Sequence, residues 1–241
     1  MSRVHYAGLS EKGLRDINED AYCAEKIGKY YVFAVADGLG GHAAGEVASA
    51  MAIDCLRHAF KTQTGTPAEI LQHAITEADS RIRAEAAKSG EERGMATTLA
   101  AACIDEKLFC TIVNVGDSRG HLISSRGFET TKDHSYVQEL VDAGQIAPED
   151  VWHHPLSNVL RQALGDPDEQ IRPDFYESDL TDTYLLLSTD GLHDYVLPGW
   201  IQEIIFKNKG NVKKACSDLV EAALKNDSDD NITVVLAHGE K

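Results

Sequence analysis

The chain has 241 residues, 23 of them basic and 39 acidic, for a formal charge of −16. That length buries a core without staples. The acidic excess, with no basic cluster longer than Lys213-Lys214, argues against nucleic acid as a partner. No run approaches the roughly 20 apolar residues of a membrane span, and no apolar signal core follows Met1. The expectation is a cytoplasmic monomer with no membrane partner. Five cysteines (Cys23, Cys55, Cys103, Cys110 and Cys216) lack any Cys-x-x-Cys pair and read as buried thiols, with Cys103 and Cys110 the one candidate redox pair.

In chain order, Val4 to Leu9 alternates as a half-buried strand. The polar turn Gly13 to Asp20 follows, then strands at Ala21 to Ile27 and Tyr30 to Ala36. The second of these ends in Asp37-Gly38-Leu39-Gly40-Gly41-His42, where a carboxylate and an adjacent glycine carbonyl offer two hard oxygen donors. Asp-Gly is also a common turn, so Asp37 alone leaves both readings open.

Helical spacing predicts helices over Ala43 to Phe60 and, from the first-turn residue Pro67, to about Lys88. Thr97 to Ile104, Leu108 to Val115 and Gly120 to Ser124 predict a meander, with Asp117 beside Gly116 between the last two. Phe128 to Thr131 adds a strand, and a helix is predicted to Ala143. An irregular flap follows, in which His153 and His154 are expected to be exposed. Val159 to Leu164 and Gln170 to Tyr176 read as strands.

The opening device recurs at Thr183 to Gly191, an apolar strand ending in Asp190-Gly191. Helices are predicted over Pro198 to Lys207, with Trp200 in the core, and over Val212 to Lys225. Asp227 to Asn231 leads into a last strand, Ile232 to Ala237. Two groups of antiparallel strands and two helix pairs, without β-α-β alternation, predict an α+β fold: a four-layer α-β-β-α sandwich of two antiparallel sheets flanked by helix pairs. One domain is expected to span residues 1–241, with a variable flap at about 135–164.

Asp37, Asp117, Asp190 and Asp230 all fall at strand ends, and Glu19 and Asp20 at a turn that approaches them. Carboxylates gathered in one cleft repel unless cations neutralise them. With no sulfur and little histidine on offer, Mg²⁺ or Mn²⁺ suits the donor set.

The segments Arg15 to Asp20, Val35 to His42, Asn114 to Arg119, Leu187 to Leu192 and Asp229 to Val234 together resemble the PPM family, the metal-dependent type 2C Ser/Thr protein phosphatases, in its compact microbial form. The likeness covers nearly the whole chain. One departure is Ala96, where the family usually has glycine. The resemblance implies that Asp37 bridges two metal ions, that the Gly38 carbonyl binds one, and that Asp190 and Asp230 bind the other. It implies a third, more weakly held ion between Asp117 and Asp190, with Glu19 and Asp20 holding metal-bound waters. Arg15 would grip the phosphate, and His42 would protonate the leaving oxygen. A metal-bridging water would attack phosphorus directly. The implied substrates are phosphoserine and phosphothreonine proteins, in opposition to a Ser/Thr kinase pathway.

Two other readings compete. One is a non-catalytic phosphoprotein-binding adaptor of the same fold, against which the intact Asp37, Asp190 and Asp230 count. The other, with the resemblance set aside, is a metal-dependent nuclease or phosphodiesterase, which the absence of a basic groove disfavours.

Overall fold

The computed structural model describes residues 3–40, 44–89, 94–168 and 170–240; for Ser89, Trp152 and His153 only the backbone is described. His42, expected as the proton donor, lies outside the described residues, as do Gly41 and Ala43.

Two five-stranded antiparallel sheets form the centre. In the first, β1 (Arg3–Glu11) pairs with β12 (Ile232–Glu240), β12 with β11 (Tyr184–Ser188), β11 with β8 (Arg119–Ser124) and β8 with β9 (Gly127–Thr130). In the second the order is β10 (Asp174–Asp179), β7 (Phe109–Val115), β6 (Leu99–Ile104), β3 (Tyr30–Ala36) and β2 (Ala21–Ile27). The central strands are apolar at nearly every position because both faces are covered: β11 and β6 are buried throughout. The edge strand β10 alternates between half-buried and exposed.

Helices α1 (Ala44–Thr62) and α2 (Pro67–Ser89) cover the second sheet, and α5 (Pro198–Lys207) and α6 (Val212–Lys225) cover the first. Thr66 and Glu69 cap α2 reciprocally: Thr66 N donates to Glu69 Oε2 at 2.8 Å and Glu69 N to Thr66 Oγ1 at 3.3 Å, with Pro67 at the first helical position. Apolar clusters fill three interfaces, helices on sheet, sheet on sheet, and sheet on helices. The expected four layers are therefore present, and the helix predicted to Ala143 forms as α3 (Tyr136–Asp142).

Five sequence expectations are corrected. The predicted meander breaks after β7, because the chain turns at Gly116 to Ser118 and delivers β8 to the opposite sheet. Val159 to Leu164 is not a strand. Its backbone bonds go to separate segments, Tyr136 N to Val159 O, Arg161 N to His134 O and Leu164 N to Thr97 O, instead of to one neighbouring strand. The strand expected from Gln170 starts only at Asp174, after Pro173, which has no N–H to give a ladder.

Cys103 and Cys110 are both free and lie on opposite faces of their sheet, in the helix-side and inter-sheet clusters respectively, so they do not pair. Trp200 is 56% exposed, because α5 buries the stripe of Ile201 and Ile205 and Trp200 falls beside it.

Candidate active site

Every acidic candidate falls next to the end of a strand. Asp37 follows β3, and its main chain is fixed from across the sheet: Asp37 N donates to Thr98 Oγ1 at 2.9 Å, and Asp37 O accepts from Thr98 N at 2.9 Å and Thr97 Oγ1 at 2.8 Å. Gly38 then begins the two-residue strand β4 (Gly38–Leu39), paired with β5 (Ala96–Thr97). A Cβ at Gly38 would lie 2.2 Å from Gly45 O and 2.5 Å from Glu19 O, so only glycine lets the chain pass between α1 and the Glu19 turn. Ala96 takes its place in this small ladder opposite Leu39.

Asp190 opens a four-residue helix, α4 (Asp190–His193), where a carboxylate suits the helix start. Asp230 precedes β12. Thr189 N donates to Thr233 O at 3.1 Å, which draws the two segments together. Ser228 Oγ donates to Gly191 O at 2.9 Å, Asn226 Nδ2 to Tyr195 O at 2.7 Å, and the Tyr195 hydroxyl to Asp229 Oδ1.

Arg15 reaches the same loop, with Nε donating to Asp229 O at 2.8 Å and Nη2 to Asp230 Oδ2 at 2.7 Å. The alternative partners suggested by sequence proximity, Asp16 and Glu19, are not the ones it takes. Asn231 holds the Arg15 turn in place by donating to Lys12 O and Ile17 O and accepting from Glu19 N. Glu19 accepts from the Gly45 main chain at the start of α1, and Asp20 Oδ2 accepts from Thr189 Oγ1 at 2.9 Å.

Asp117 occupies the crossing between the sheets. Arg119 and Asp133 beside it form a bidentate pair at 2.8 and 2.6 Å. With Asp190, His193 and the flap residue Asn158 they line a small cavity of about 60 Å³. A larger hollow of about 450 Å³ lies between α2 and Pro167, Asp168, Gln170 and Ile171, and no candidate residue lines it. His134, adjacent to Asp133, accepts from Gly116 N through Nδ1 at 3.2 Å and so shapes the same turn. His154, expected to be exposed, is half-buried, and its Nδ1 accepts from Leu156 N; it is not among the residues that line this cavity.

Burial and mutual repulsion dominate the electrostatics. Asp37 is pushed well above the usual carboxylate range by burial, then by Asp190, Asp20, Asp117 and Asp230. Asp190 is raised in the same way, by burial and then by Asp117 and Asp230. Asp20 and Asp117 are each pushed up to about 7, burial being the first cause in both. Asp20 Oδ1 and Asp190 Oδ1 are buried and have no hydrogen-bond partner.

Among the described residues no three His, Cys, Asp or Glu side chains stand together as a ready metal cage. The carboxylates nonetheless raise one another's proton affinity, which places them in one cleft. Hard, mutually repelling, partly orphaned oxygens fit a divalent hard cation.

The arrangement brings together Asp37, Gly38, Asp190, Asp230, Asp117, Asp20 and Glu19, with Arg15 on the rim. Sequence reasoning missed the residues that fix them: Thr98, Asn231, Tyr195, the Arg119–Asp133 pair, and a buried chain of His121, Ser188 and His193. A signal existed for Asp133 in the Asp133-His134 pair that directly follows the strand predicted over Phe128 to Thr131. His121 and His193 gave none, since a lone histidine in an apolar run carries no periodicity.

The family model described as Protein phosphatase 2C matches residues 8–236. The chain is 38% identical to the serine/threonine phosphatase stp of Listeria innocua serovar 6a, over 97% of this chain and 95% of that protein. It superposes on the crystal structure of the serine/threonine phosphatase Stp1 from Staphylococcus aureus with a TM-score of 0.90 and 35% identity, covering 98% of this chain and 95% of that one. On the catalytic domain of the serine threonine protein phosphatase PstP in complex with 2 manganese ions, the TM-score is 0.86 at 33% identity, with all of both chains covered. On its fold, its carboxylate-lined cleft and these matches, the chain belongs to the protein phosphatase 2C family.

Proposed function

We infer that the protein hydrolyses phosphoserine and phosphothreonine in proteins, as a metal-dependent Ser/Thr phosphatase using Mg²⁺ or Mn²⁺. The observation that carries this reading is the meeting of Asp37, Asp190, Asp230 and Asp20 in one cleft, with orphaned oxygens on two of them. Asp37, the Gly38 carbonyl, Asp190 and Asp230 would hold two core cations, and Asp117 with Asp190 a weaker third. Bound cations neutralise the carboxylates and the phosphoryl charge, and lower the pKa of water.

The chain's own residues supply the rest. Glu19 and Asp20 orient water at the rim. The half-exposed Arg15 guanidinium, fixed by Asp229 O and Asp230, offers its remaining N–H groups to phosphoryl oxygens. His42 is the proton donor to the leaving serine or threonine oxygen. Five buried free thiols suit a reducing cytoplasm. Among the described residues no helix is long and apolar enough to cross a membrane. We place the protein opposite a Ser/Thr kinase pathway, acting as a monomer, with one domain spanning the chain and the segment at about 135–164 as its variable flap.

The test is phosphate release from a phosphothreonine peptide with and without Mn²⁺, for wild type and Asp190→Asn. Mn²⁺-dependent release, lost in the variant, is expected. A folded, Mn²⁺-loaded wild type that binds the peptide without releasing phosphate would replace this reading with the adaptor.

A further inference from the structure

Helix α2 carries a carboxylate where its packing calls for an apolar side chain. Asp79 lies four residues after Ile75 and three before Ile82, both fully buried, so the helical repeat sets it on the same stripe. It is half-buried, and both of its oxygens are engaged. Arg83 Nε donates to Oδ1 at 3.1 Å and to Oδ2 at 3.0 Å, and Gly165 N donates to Oδ1 at 2.8 Å. The first partner is one helical turn away. The second belongs to the long connection between α3 and β10.

Gly165 is buried with φ at +94°, and a Cβ there would lie 2.3 Å from Ile82 Cγ2 and 2.7 Å from Met95 O, so the chain passes tightly between α2 and residue 95. Leu164, just before it, is buried and exchanges two main-chain bonds with Thr97: Leu164 N donates to Thr97 O at 2.8 Å, and Thr97 N to Leu164 O at 3.0 Å. Thr97 in turn stands opposite Gly38 in the β4–β5 ladder, and its Oγ1 donates to Asp37 O at 2.8 Å. Three segments thus make one narrow antiparallel ribbon, with Leu164 outside, Thr97 in the middle and Gly38 inside. The outer member is fastened to α2 by Asp79, and the inner one carries the Asp37–Gly38 oxygens.

We propose that Asp79 is a positioning residue for the Asp37–Gly38 corner, acting on it across this ribbon through Gly165, Leu164 and Thr97. This rests on the reading of Asp37 and the Gly38 carbonyl as cation ligands. A buried N–H needs an acceptor, and Asp79 gives Gly165 one that Arg83 holds in place. Without it Gly165 is no longer tied to α2, and Leu164 shifts with it against Thr97, the residue that bonds the Asp37 carbonyl. A group bonded directly to a ligand governs metal affinity by about 10–100-fold, and Asp79 acts through more bonds than that, so an effect of about 3–10-fold is expected.

Two measurements on the whole chain test it, with Asp79→Leu, which removes the acceptor and gives α2 the apolar side chain its stripe calls for, and with Asp79→Ala as the smaller second variant. Amide hydrogen exchange should quicken at Gly165, Leu164 and Thr97, and at Thr98, whose N–H donates to Asp37 O, while β12 keeps its wild-type rates. Faster exchange at Gly165 alone would confine the disturbance to the anchor and overturn the proposal. The Mn²⁺ concentration for half-maximal phosphate release from a phosphothreonine peptide should rise about 3–10-fold, with kcat and the peptide KM at saturating Mn²⁺ as in wild type. Asp79→Asn, which keeps an oxygen where Oδ1 stood, should recover most of that shift. A lowered urea midpoint or a raised peptide KM with an unchanged Mn²⁺ requirement would make Asp79 a structural residue only. If calorimetry shows Asp37→Asn losing Mn²⁺ while the Asp79 variants bind it as wild type does, the positioning role alone is wrong. If Asp37→Asn binds Mn²⁺ as wild type does, the ligand reading of Asp37 falls and takes the proposal with it.

Discussion

Asp37-Gly38 and Asp190-Gly191 start from the same local sequence, an apolar strand closed by Asp-Gly, and are built in different ways. After Asp37 the chain stays extended and is clamped by Thr97 and Thr98 on a neighbouring strand. After Asp190 it coils into α4 and is laced to the 226–231 loop through Ser228, Asn226 and Tyr195. The shared glycine answers a shared problem, close passage of another backbone: Gly45 O at Gly38, and Asn231 O, 2.0 Å from a Cβ, at Gly191. A dipeptide thus specifies a carboxylate beside a tight crossing. What crosses, and what holds the carboxylate there, is decided by residues far away in sequence.

The sharpest separation of the corners is chemical. On the proposed reading Asp37 serves both core cations and Asp190 one of them. Both Asp37→Asn and Asp190→Asn should lower turnover by more than about 10³-fold, beyond the loss from a single electrostatic donor. Calorimetry should distinguish them, with Asp37→Asn losing more bound Mn²⁺ than Asp190→Asn. Equal losses of bound metal would put the two carboxylates on the same footing and remove Asp37 from the bridging position.

The glycines come next. Gly38→Ala and Gly191→Ala each drive a Cβ into backbone oxygen, which cannot swing aside as a flexible side chain does. Each should cost about 1–3 kcal/mol or more, read as a lowered urea midpoint. Gly199, where an added Cβ meets nothing within 4 Å, provides the control. A Gly191→Ala protein as stable as Gly199→Ala would mean that the α4 corner yields where the Asp37 corner does not.

The contrast also explains what could be read in advance. Periodicity and turn residues located β2, β3, α5 and α6 to the residue, because each is a continuous apolar pattern ended by local punctuation. The five motif segments located the carboxylates. Partner choice was not legible. Nothing near Leu108 to Ser124 indicates that β7 and β8 separate into different sheets, since either sheet buries those side chains. Val159 to Leu164 carries apolar residues at both ends as a short strand does, but its backbone bonds are divided among Tyr136, His134 and Thr97. Arg15 passes over the nearby Asp16 and Glu19 for Asp230, a choice that depends on Asn231 pinning the turn.

Stability against pH probes the cluster as a whole. Asp20 and Asp117 have an ordinary value of 3.8 and are pushed up to about 7 in the fold. Between those values the folded state holds more protons than the unfolded one, so stability falls as pH rises through the window and is greatest below it. With a chelator present, the melting temperature should therefore drop from pH 5 to pH 8. Added Mn²⁺ should raise it most at pH 8, where the ion meets fully ionised carboxylates. Asp37→Asn and Asp190→Asn should both flatten the slope in chelator, as each removes one repelling charge. A melting temperature in chelator that rises over this range would show that the carboxylates are not held against one another.

The smallest effects concern the two styles of support. Thr98→Val keeps the shape of a buried residue but takes away the acceptor for Asp37 N–H and the partner of Ser118 Oγ, 2.7 Å away. A buried N–H left unpaired costs about 1–3 kcal/mol. Ser228→Ala removes one donor from Gly191 O, and a carbonyl tolerates under-satisfaction better than an N–H does. Tyr195 and Asn226 also remain to tie that loop, whereas Thr98 has only Thr97 to share its task. Thr98→Val should therefore lower the urea midpoint more than Ser228→Ala, and should raise the Mn²⁺ concentration needed for half-maximal activity where Ser228→Ala barely moves it. The reverse order would mean that the α4 corner depends on one buried hydroxyl and that its additional ties carry no weight.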